Sequence, residues 1–313
     1  MTLNLPTPDQ PFRIGTRGSP LALAQAHETR DRLMQAFDLP QTAFEIVVIK
    51  VTGDMIQDRA LKEIGGKGLF TREIEVALLA GDIDIAVHSM KDMPVEQPTG
   101  LCLDAYLPRE DVRDAFVSHS FTSIAALPEG AVVGTSSLRR RAQLLARRPD
   151  LQVVEFRGNV QTRLQKLTDG VAVATFLAVA GLNRLGCSDV PQHAIDPGEM
   201  LPAVAQGAIG IERRGGDARA HEMLAAIHDG PAGQRLAAER AFLAALDGSC
   251  ETPIGGLAEL KGDMLHLRGE ILKPDGSCVY AAAATAPIAD GAAMGRDLAA
   301  QLLAEAGPDF LKS

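Results

Sequence analysis

Residues 13–25 read RIGTRGSPLALAQ, and residues 132–144 read VVGTSSLRRRAQL. Each stretch opens with apolar residues at strand spacing, passes through Gly-Thr and a small polar turn, and enters a run of helical periodicity. In the first copy Ser19 stands at the N-cap and Pro20 at the first helical position, where a missing N–H costs nothing. A strand that turns directly into a helix is the opening of a βαβ unit. The two copies form a weak internal repeat and predict two α/β lobes. Each lobe would place a helix N-terminus at the carboxyl edge of its first strand. Open α/β sheets bind ligands along that edge, and helix N-termini favour anions.

Working outward, the first lobe reads as a strand at 12–17, a helix at 19–37, a strand at 44–51, a helix at 68–81 ended by Gly81, and a buried strand at 83–89. The second reads as a strand and turn at 131–137, a helix at 137–148 stopped by Pro149, a strand at 151–156, a helix at 159–170 and a strand at 171–177. This alternation predicts parallel sheets covered by helices. The charged stretch LPREDVRDAF at 107–116 reads as the link between lobes. The last hundred residues differ. A helix at 232–248 leads through SCETPIGG into three strand-like runs near 254–260, 264–272 and 278–285, with KGD and KPDGS as hairpin turns, and a final helix covers about 290–306. That is a small α+β domain with an antiparallel sheet.

Composition narrows the function. The chain has 313 residues, 31 Lys and Arg against 40 Asp and Glu, and a net charge of -9. An acidic chain with 4% aromatic residues is a poor general nucleic-acid binder. No apolar run reaches the ~18 residues of a membrane span. The N-terminus lacks a basic region followed by an apolar stretch, which reads as a cytoplasmic protein without a signal peptide. Cys102, Cys187, Cys250 and Cys278 form no CxxC pair and the seven histidines show no metal-binding spacing, so neither disulfides nor a metal site is expected.

Against this acidic background, seven arginines lie between Gly134 and Arg163, opposed only by Asp150 and Glu155. A charge run is ordinarily a solvated helix face, and Arg147 and Arg148 fit that reading because a helix C-terminus welcomes cations. Arg139 and Arg140 do not, since they stand in a first turn where the dipole disfavours them. A bound carboxylate or phosphate would reverse that sign, with Ser136, Ser137 and backbone N–H groups converging on it. Arg157 ends a strand at the same edge, and Arg17 with Ser19 repeats the arrangement in the first lobe. A polyanionic ligand is expected.

HSMKDMP at 88–94, GTSSLRRRAQL at 134–144, FRGNVQTRL at 156–164, LAVAGLNRLG at 177–186, LPAVAQGAIGIE at 201–212 and GSCETPIGG at 248–256 together resemble the porphobilinogen deaminase (hydroxymethylbilane synthase) family. The resemblance runs from RIGTRGSPLALAQA to the final helix. Two departures, Val112 in place of a common proline and VAVATFLA without an acidic residue before it, touch no motif residue. The resemblance implies two doubly wound lobes like those of periplasmic binding proteins and a C-terminal α+β domain with a three-stranded antiparallel sheet. The implied boundaries are 1–107 with 204–225, 108–203, and 226–313. It implies a monomeric transferase that joins four porphobilinogen molecules head to tail into hydroxymethylbilane and releases ammonia. Porphobilinogen and the growing polypyrrole chain would be its partners, with no nucleic acid and no membrane. The implied cofactor is a dipyrromethane attached by a thioether to Cys250.

By motif, the resemblance assigns catalysis to Asp92, cofactor binding to Lys91, Thr135, Ser136, Ser137, Arg139, Arg140, Arg157, Arg163 and Arg184, and substrate binding to Arg17, Ser19, Lys67 and Phe70. Each pyrrole carries an acetate and a propionate, which accounts for dense positive charge in an acidic chain. The polar segment 52–66 reads as a lid. On residue type alone, a cap on the turn after its strand is the favoured reading of Asp92. The reaction favours the catalytic role, because loss of ammonia leaves an azafulvene cation that a carboxylate stabilises. The competing reading is a solute-binding protein for a small anion, since this fold also serves binding alone.

Overall fold

The computed structural model describes residues 3–55, 70–249 and 252–311. The chain divides into two compact units, Met1–Glu110 with Ala208–Gly233, and Asp111–Gly207 with Gln234–Ser313. The first crossing therefore falls inside the charged stretch 107–116.

The strands in chain order are β1 (Phe12–Arg17), β2 (Phe44–Ile49), β3 (Ile85–Ser89), β4 (Leu101–Tyr106), β5 (Asp114–Val117), β6 (Val132–Gly134) and β7 (Gln152–Val154). They continue as β8 (Ala174–Ala178), β9 (Gln192–Ala194), β10 (Ile209–Arg214), β11 (Ile254–Lys261), β12 (Met264–Leu272) and β13 (Val279–Pro287). The first unit holds one sheet in the order β2-β1-β3-β10-β4, and the second holds β7-β6-β8-β5-β9 and β11-β12-β13. In the first sheet β1 runs parallel to β2 and β3, with Ile14 beside Ile46 and Ile85. Strand β10 runs antiparallel to β3 and β4. In the second, β6 runs parallel to β7 and β8, and β5 runs antiparallel to β8 and β9.

The two five-stranded sheets thus share one topology, which is what the sequence repeat predicts for β1 and β6. The expected parallel pairing holds for β1, β2 and β3 and for β6, β7 and β8, and each sheet is mixed. Each sheet receives one reversed strand, and in each case it is the first strand after a crossing between units: β5 after Glu110, β10 after Gly207. A strand entering from outside the βαβ series is free of the handedness rule that keeps the others parallel.

Both faces of each lobe sheet are covered. In the first unit Phe12, Ile14, Leu33 and Ile211 form one buried cluster, and Val51, Ile74, Leu78 and Ile83 another. In the second, Phe116, Val133, Leu144 and Phe176 lie in one cluster, and Phe156, Leu167, Leu177 and Leu182 in another. Full burial of such side chains is worth about 1.5–3 kcal/mol each. The helices start where their caps predict: Ser19 Oγ accepts from Ala22 N–H, Ser137 Oγ from Arg140 N–H, and Asn159 Oδ1 from Thr162 N–H.

The C-terminal sheet is an antiparallel meander, with Ile254 opposite Ile271 and Arg268 opposite Ala283. Helices Gly230–Ala245 and Gly291–Ala306 approach so closely that a Cβ on Gly295 would sit 2.3 Å from the Ala238 carbonyl oxygen. Glu239 ties this domain to the second lobe. Its carboxylate is fully buried and accepts from Ala205 N–H at 2.7 Å and Ala258 N–H at 2.8 Å. Among the described residues no helix is long and apolar enough to cross a membrane.

Candidate active site

In the first unit, β3 is buried as far as His88 and gives way to a single turn of 3-10 helix at Met90–Asp92. Met90 is buried, and its N–H donates to the Ala208 carbonyl oxygen at 3.1 Å. The turn is closed by Met93 N–H to Met90 O at 3.2 Å, so backbone atoms alone complete it. The carboxylate of Asp92 is turned toward Arg17 instead, with Oδ2 4.0 Å from Nη1, and its side chain is 34% exposed and so open to a ligand. Arg17 ends β1, the strand beside β3, so adjacent parallel strands deliver the two charges to one carboxyl edge. The Arg17 guanidinium also lies 4.4 Å from the centroid of the Phe70 ring. A cation over an aromatic face gains roughly 0.5–2 kcal/mol and fixes the plane of the guanidinium.

Two polar residues that sequence reading passed over stand at the same place. Gln25 is buried in helix Pro20–Phe37, and its amide donates to Ser89 Oγ at 2.9 Å. Ser89 is the last residue of β3, so this bond fixes the strand just before Lys91 and Asp92. The signal lay in Gln25 itself, a polar residue on the buried face of an amphipathic helix.

In the second unit, β6 ends at Gly134 and the Thr135-Ser136-Ser137 turn folds on itself. Ser137 N–H donates to Thr135 Oγ1 at 3.2 Å, and Ser136 Oγ accepts from Phe156 N–H at 3.0 Å. These hydroxyls are thus engaged as local acceptors, leaving their O–H groups as donors. Gly134 is required by space, since a Cβ there would lie 2.3 Å from the Phe156 ring. Gly134→Ala should therefore destabilise the protein by about 1–3 kcal/mol through overpacking. Urea unfolding, with a lower midpoint at unchanged slope, is the check.

The arginines divide in a way the sequence did not show. Arg139 and Arg140 were expected to be first-turn cations in need of a ligand. Instead both are 4% exposed and share a carboxylate of the protein itself. Asp114 Oδ2 lies 2.8 Å from Arg139 Nη2, and Asp114 Oδ1 accepts from Arg140 Nη2 at 2.7 Å and Nε at 3.0 Å. Gln206 adds a third donor to Oδ1 at 3.0 Å. Arg139 also donates to Leu201 O and Gln143 Oε1, and Arg140 to Phe176 O. Burial pushes the Asp114 carboxyl up, but the two guanidinium charges and the Arg140 and Gln206 hydrogen bonds outweigh it and hold it well below the usual carboxylate range. The dipole argument that gave these two arginines an external partner no longer carries weight, because the partner is internal. Arg148 is corrected too: besides its ion pair with Asp150 it donates to Ile124 O and Leu127 O, so it staples a loop rather than resting on the surface.

Arg157 is placed differently. It follows β7, and its Nη1 is buried with no hydrogen-bond partner among the described residues. Gly158, in the left-handed region at φ 121°, turns the chain at once into helix Val160–Thr168. Arg163 Nε donates to Gly158 O at 2.9 Å, and Lys166 Nζ to Arg157 O at 3.0 Å. Arg184 Nη2 donates to Gly207 O at 3.1 Å, next to the second crossing between units. The structure therefore brings together Arg17, Phe70 and Asp92 in one unit, and groups Thr135 to Arg140 in the other, with Arg157 next to the Phe156–Ser136 bond, Arg163 on the helix that follows, and Arg184 at the end of helix Val179–Arg184. Lys67, Cys250 and most of the 52–66 segment lie outside the described residues.

Comparison with known proteins decides the family. The model of the porphobilinogen deaminase dipyromethane cofactor binding domain matches residues 12–222, and that of the porphobilinogen deaminase C-terminal domain matches residues 234–304. The chain belongs to the porphobilinogen deaminase family. The porphobilinogen deaminase of Paracoccus denitrificans is 71% identical over 306 residues, covering 98% of each chain, and that of Nitrobacter hamburgensis is 54% identical over 297 residues, covering 95% of this chain and 94% of the other. Among solved structures, the arginine-specific periplasmic binding protein STM4351 of Salmonella typhimurium covers 69% of this chain and 91% of its own, at 14% identity and a TM-score of 0.39. As a member of the family the chain is a transferase of tetrapyrrole biosynthesis that uses a dipyrromethane cofactor. The residues present fit such a group. A dipyrromethane bears four carboxylates, and the second lobe offers buried guanidinium donors without partners among the described residues, Arg157 Nη1 and Arg139 Nε.

Proposed function

We propose that this chain joins four porphobilinogen molecules into hydroxymethylbilane with Asp92 as the catalytic group. The observation that carries the assignment is the Asp92–Arg17 pair at 4.0 Å on the carboxyl edge of adjacent strands. Asp92 assists departure of the substrate amine, stabilises the positive charge left on the pyrrole, and holds a proton when the α-carbon is restored to aromaticity. Arg17 receives a substrate carboxylate beside it, with Ser19, Lys67 and Phe70. Phe70 keeps the Arg17 guanidinium in plane, so its donors are oriented before substrate arrives. When bound, the dipyrromethane supplies the free pyrrole α-carbon on which the chain grows. Cys250 is its point of attachment, and Lys91, Thr135, Ser136, Ser137, Arg139, Arg140, Arg157, Arg163 and Arg184 hold its carboxylates and those of the growing chain. In this reading the protein works as three domains, 1–107 with 204–225, 108–203 and 226–313, as a cytoplasmic monomer that binds neither nucleic acid nor membrane.

The test is consumption of substrate. Purified protein given porphobilinogen should release ammonia and form a linear tetrapyrrole. A protein that binds porphobilinogen stoichiometrically without releasing ammonia would be the solute-binding alternative.

Among the arginines, Arg157 should matter most for loading. Its buried Nη1 has no partner among the described residues, so Arg157→Leu removes a donor without orphaning one of their groups. Loss of a charge-assisted hydrogen bond worth about 1.5–3 kcal/mol weakens the hold on the incoming tetrapyrrole, before the thioether forms, by roughly 10- to 100-fold. The check is cofactor occupancy by intact mass after the cofactor-free chain has met limiting preformed tetrapyrrole for a fixed time, with thermal stability of the cofactor-free chain unchanged.

A further inference from the structure

We propose that Asp114 is a positioning residue that sets the anion affinity of the Arg139–Arg140 pair by offsetting one of its two charges. The inference rests on the reading that Arg139 and Arg140 serve the cofactor's carboxylates.

The geometry is that of a closed charge knot. All three residues are buried, Asp114 completely. The carboxylate is divided between the two guanidinium groups: Oδ2 faces Arg139, while Oδ1 takes both donors of the Arg140 fork. Gln206 completes Oδ1, and its amide also donates to Val112 O at 2.8 Å. Two cations against Asp114 sum to +1 over the three residues, in a low-dielectric site. A second buried carboxylate, Glu270, acts on Arg139 from beyond Gln143, whose amide donates to it at 2.8 Å. Donors remain as well. A guanidinium has five N–H groups, and Arg139 Nε is among those with no partner among the described residues. The knot is therefore not saturated. Two buried guanidinium groups without Asp114 would repel each other and destabilise the cofactor-free chain. Asp114 is the carboxylate in direct contact with both, so it keeps the site folded when empty and moderates its pull on an anion.

Asp114 lies within the stretch that links the units, 25 residues before Arg139, and no local pattern marks the two as partners.

The experiment reads the cofactor-induced rise in melting midpoint, measured on full-length protein with and without cofactor, and occupancy verified by intact mass. Asp114→Asn raises the knot to +2 and should widen that rise by ~2–4 °C, because the loss falls mainly on the cofactor-free form. Arg139→Gln lowers the knot to zero and should narrow it by a similar amount. The double variant Asp114→Asn with Arg139→Gln restores +1 and should return the rise to the wild-type value, and it keeps the test decisive if Asp114→Asn alone does not fold. High salt should shrink the differences only slightly, since buried charges are weakly screened. If Arg139→Gln narrows the rise but Asp114→Asn and the double variant leave the ordering by charge unfulfilled, Asp114 is a structural counter-ion only and the inference is overturned. If neither Arg139→Gln nor Arg140→Gln narrows it, the assignment of these arginines to the cofactor itself fails.

Discussion

Asp92→Asn should give a folded protein whose turnover falls toward background. Asparagine has nearly the same shape as aspartate and keeps one oxygen for a pyrrole N–H. It has no charge to set against the developing cation and exchanges no proton near neutral pH. Loss of a positioned acid–base group costs ~10²–10⁴-fold in rate, and loss of charge stabilisation of the same species adds to it. The local structure should survive, because the 90–92 turn is closed by backbone atoms and Met90 is anchored by its N–H to Ala208 O. Arg17 keeps its contact with Phe70 when its carboxylate neighbour is gone. Asp92→Glu retains charge but displaces it by one methylene and should keep a little activity. Cofactor loading depends on related chemistry, so the variants must be loaded by supplying preformed tetrapyrrole to the cofactor-free chain. The measurement is single-turnover ammonia release. A rate for Asp92→Asn within a few-fold of wild type would remove Asp92 from the chemistry.

Cys250→Ser should yield a chain with the calculated mass of the bare polypeptide and no tetrapyrrole synthesis. The wild-type mass should exceed that value by one dipyrromethane, carried on the peptide that contains Cys250. The reason is nucleophilicity: a thiolate forms readily near neutral pH and attacks carbon, whereas a serine hydroxyl does neither without a base. Cys102→Ser, Cys187→Ser and Cys278→Ser should each keep the adduct. An adduct that persists in Cys250→Ser, or vanishes in one of the other three, would move the attachment elsewhere.

Much of the fold was legible because its signals are local. The caps Ser19, Ser137 and Asn159 and the helix stop at Gly81 lie within a turn of the boundaries they set, and the Gly-Thr repeat marks β1 and β6 as equivalent. The three C-terminal strands follow from their turns. What escaped was set by distant parts of the chain. The reversal of β5 and β10 depends on where the chain crosses between units, and hydrophobic periodicity is the same for a strand in either direction. The same holds at the site. Asp92 and Arg17 sit at the ends of recognisable strands, and their pairing follows from β1 lying beside β3. Arg139 and Arg140 announced their charge but not their partner, because Asp114 reaches them only once β5 has entered the sheet. Asp114, Gln206 and Gln25 look unexceptional in sequence, since a buried polar residue is recognised by what it bonds.

The position of β10 bears on how the protein is made. Strand β3, which carries His88 and leads into Lys91 and Asp92, pairs with β1 on one side and with β10 on the other. A ribosome delivers β3 more than a hundred residues before β10, and at ~5–20 residues per second that is an interval of roughly 5–25 s. During it the nascent first lobe presents an open edge of unpaired backbone groups on a buried, apolar strand, the kind of surface that recruits foreign strands. The second lobe meets no such delay, because β5 emerges before β6, β7 and β8. Biogenesis of this protein is thus out of order with its sequence: the lobe synthesised first is completed second, and the segment bearing Asp92 is the part a holding chaperone has most reason to cover.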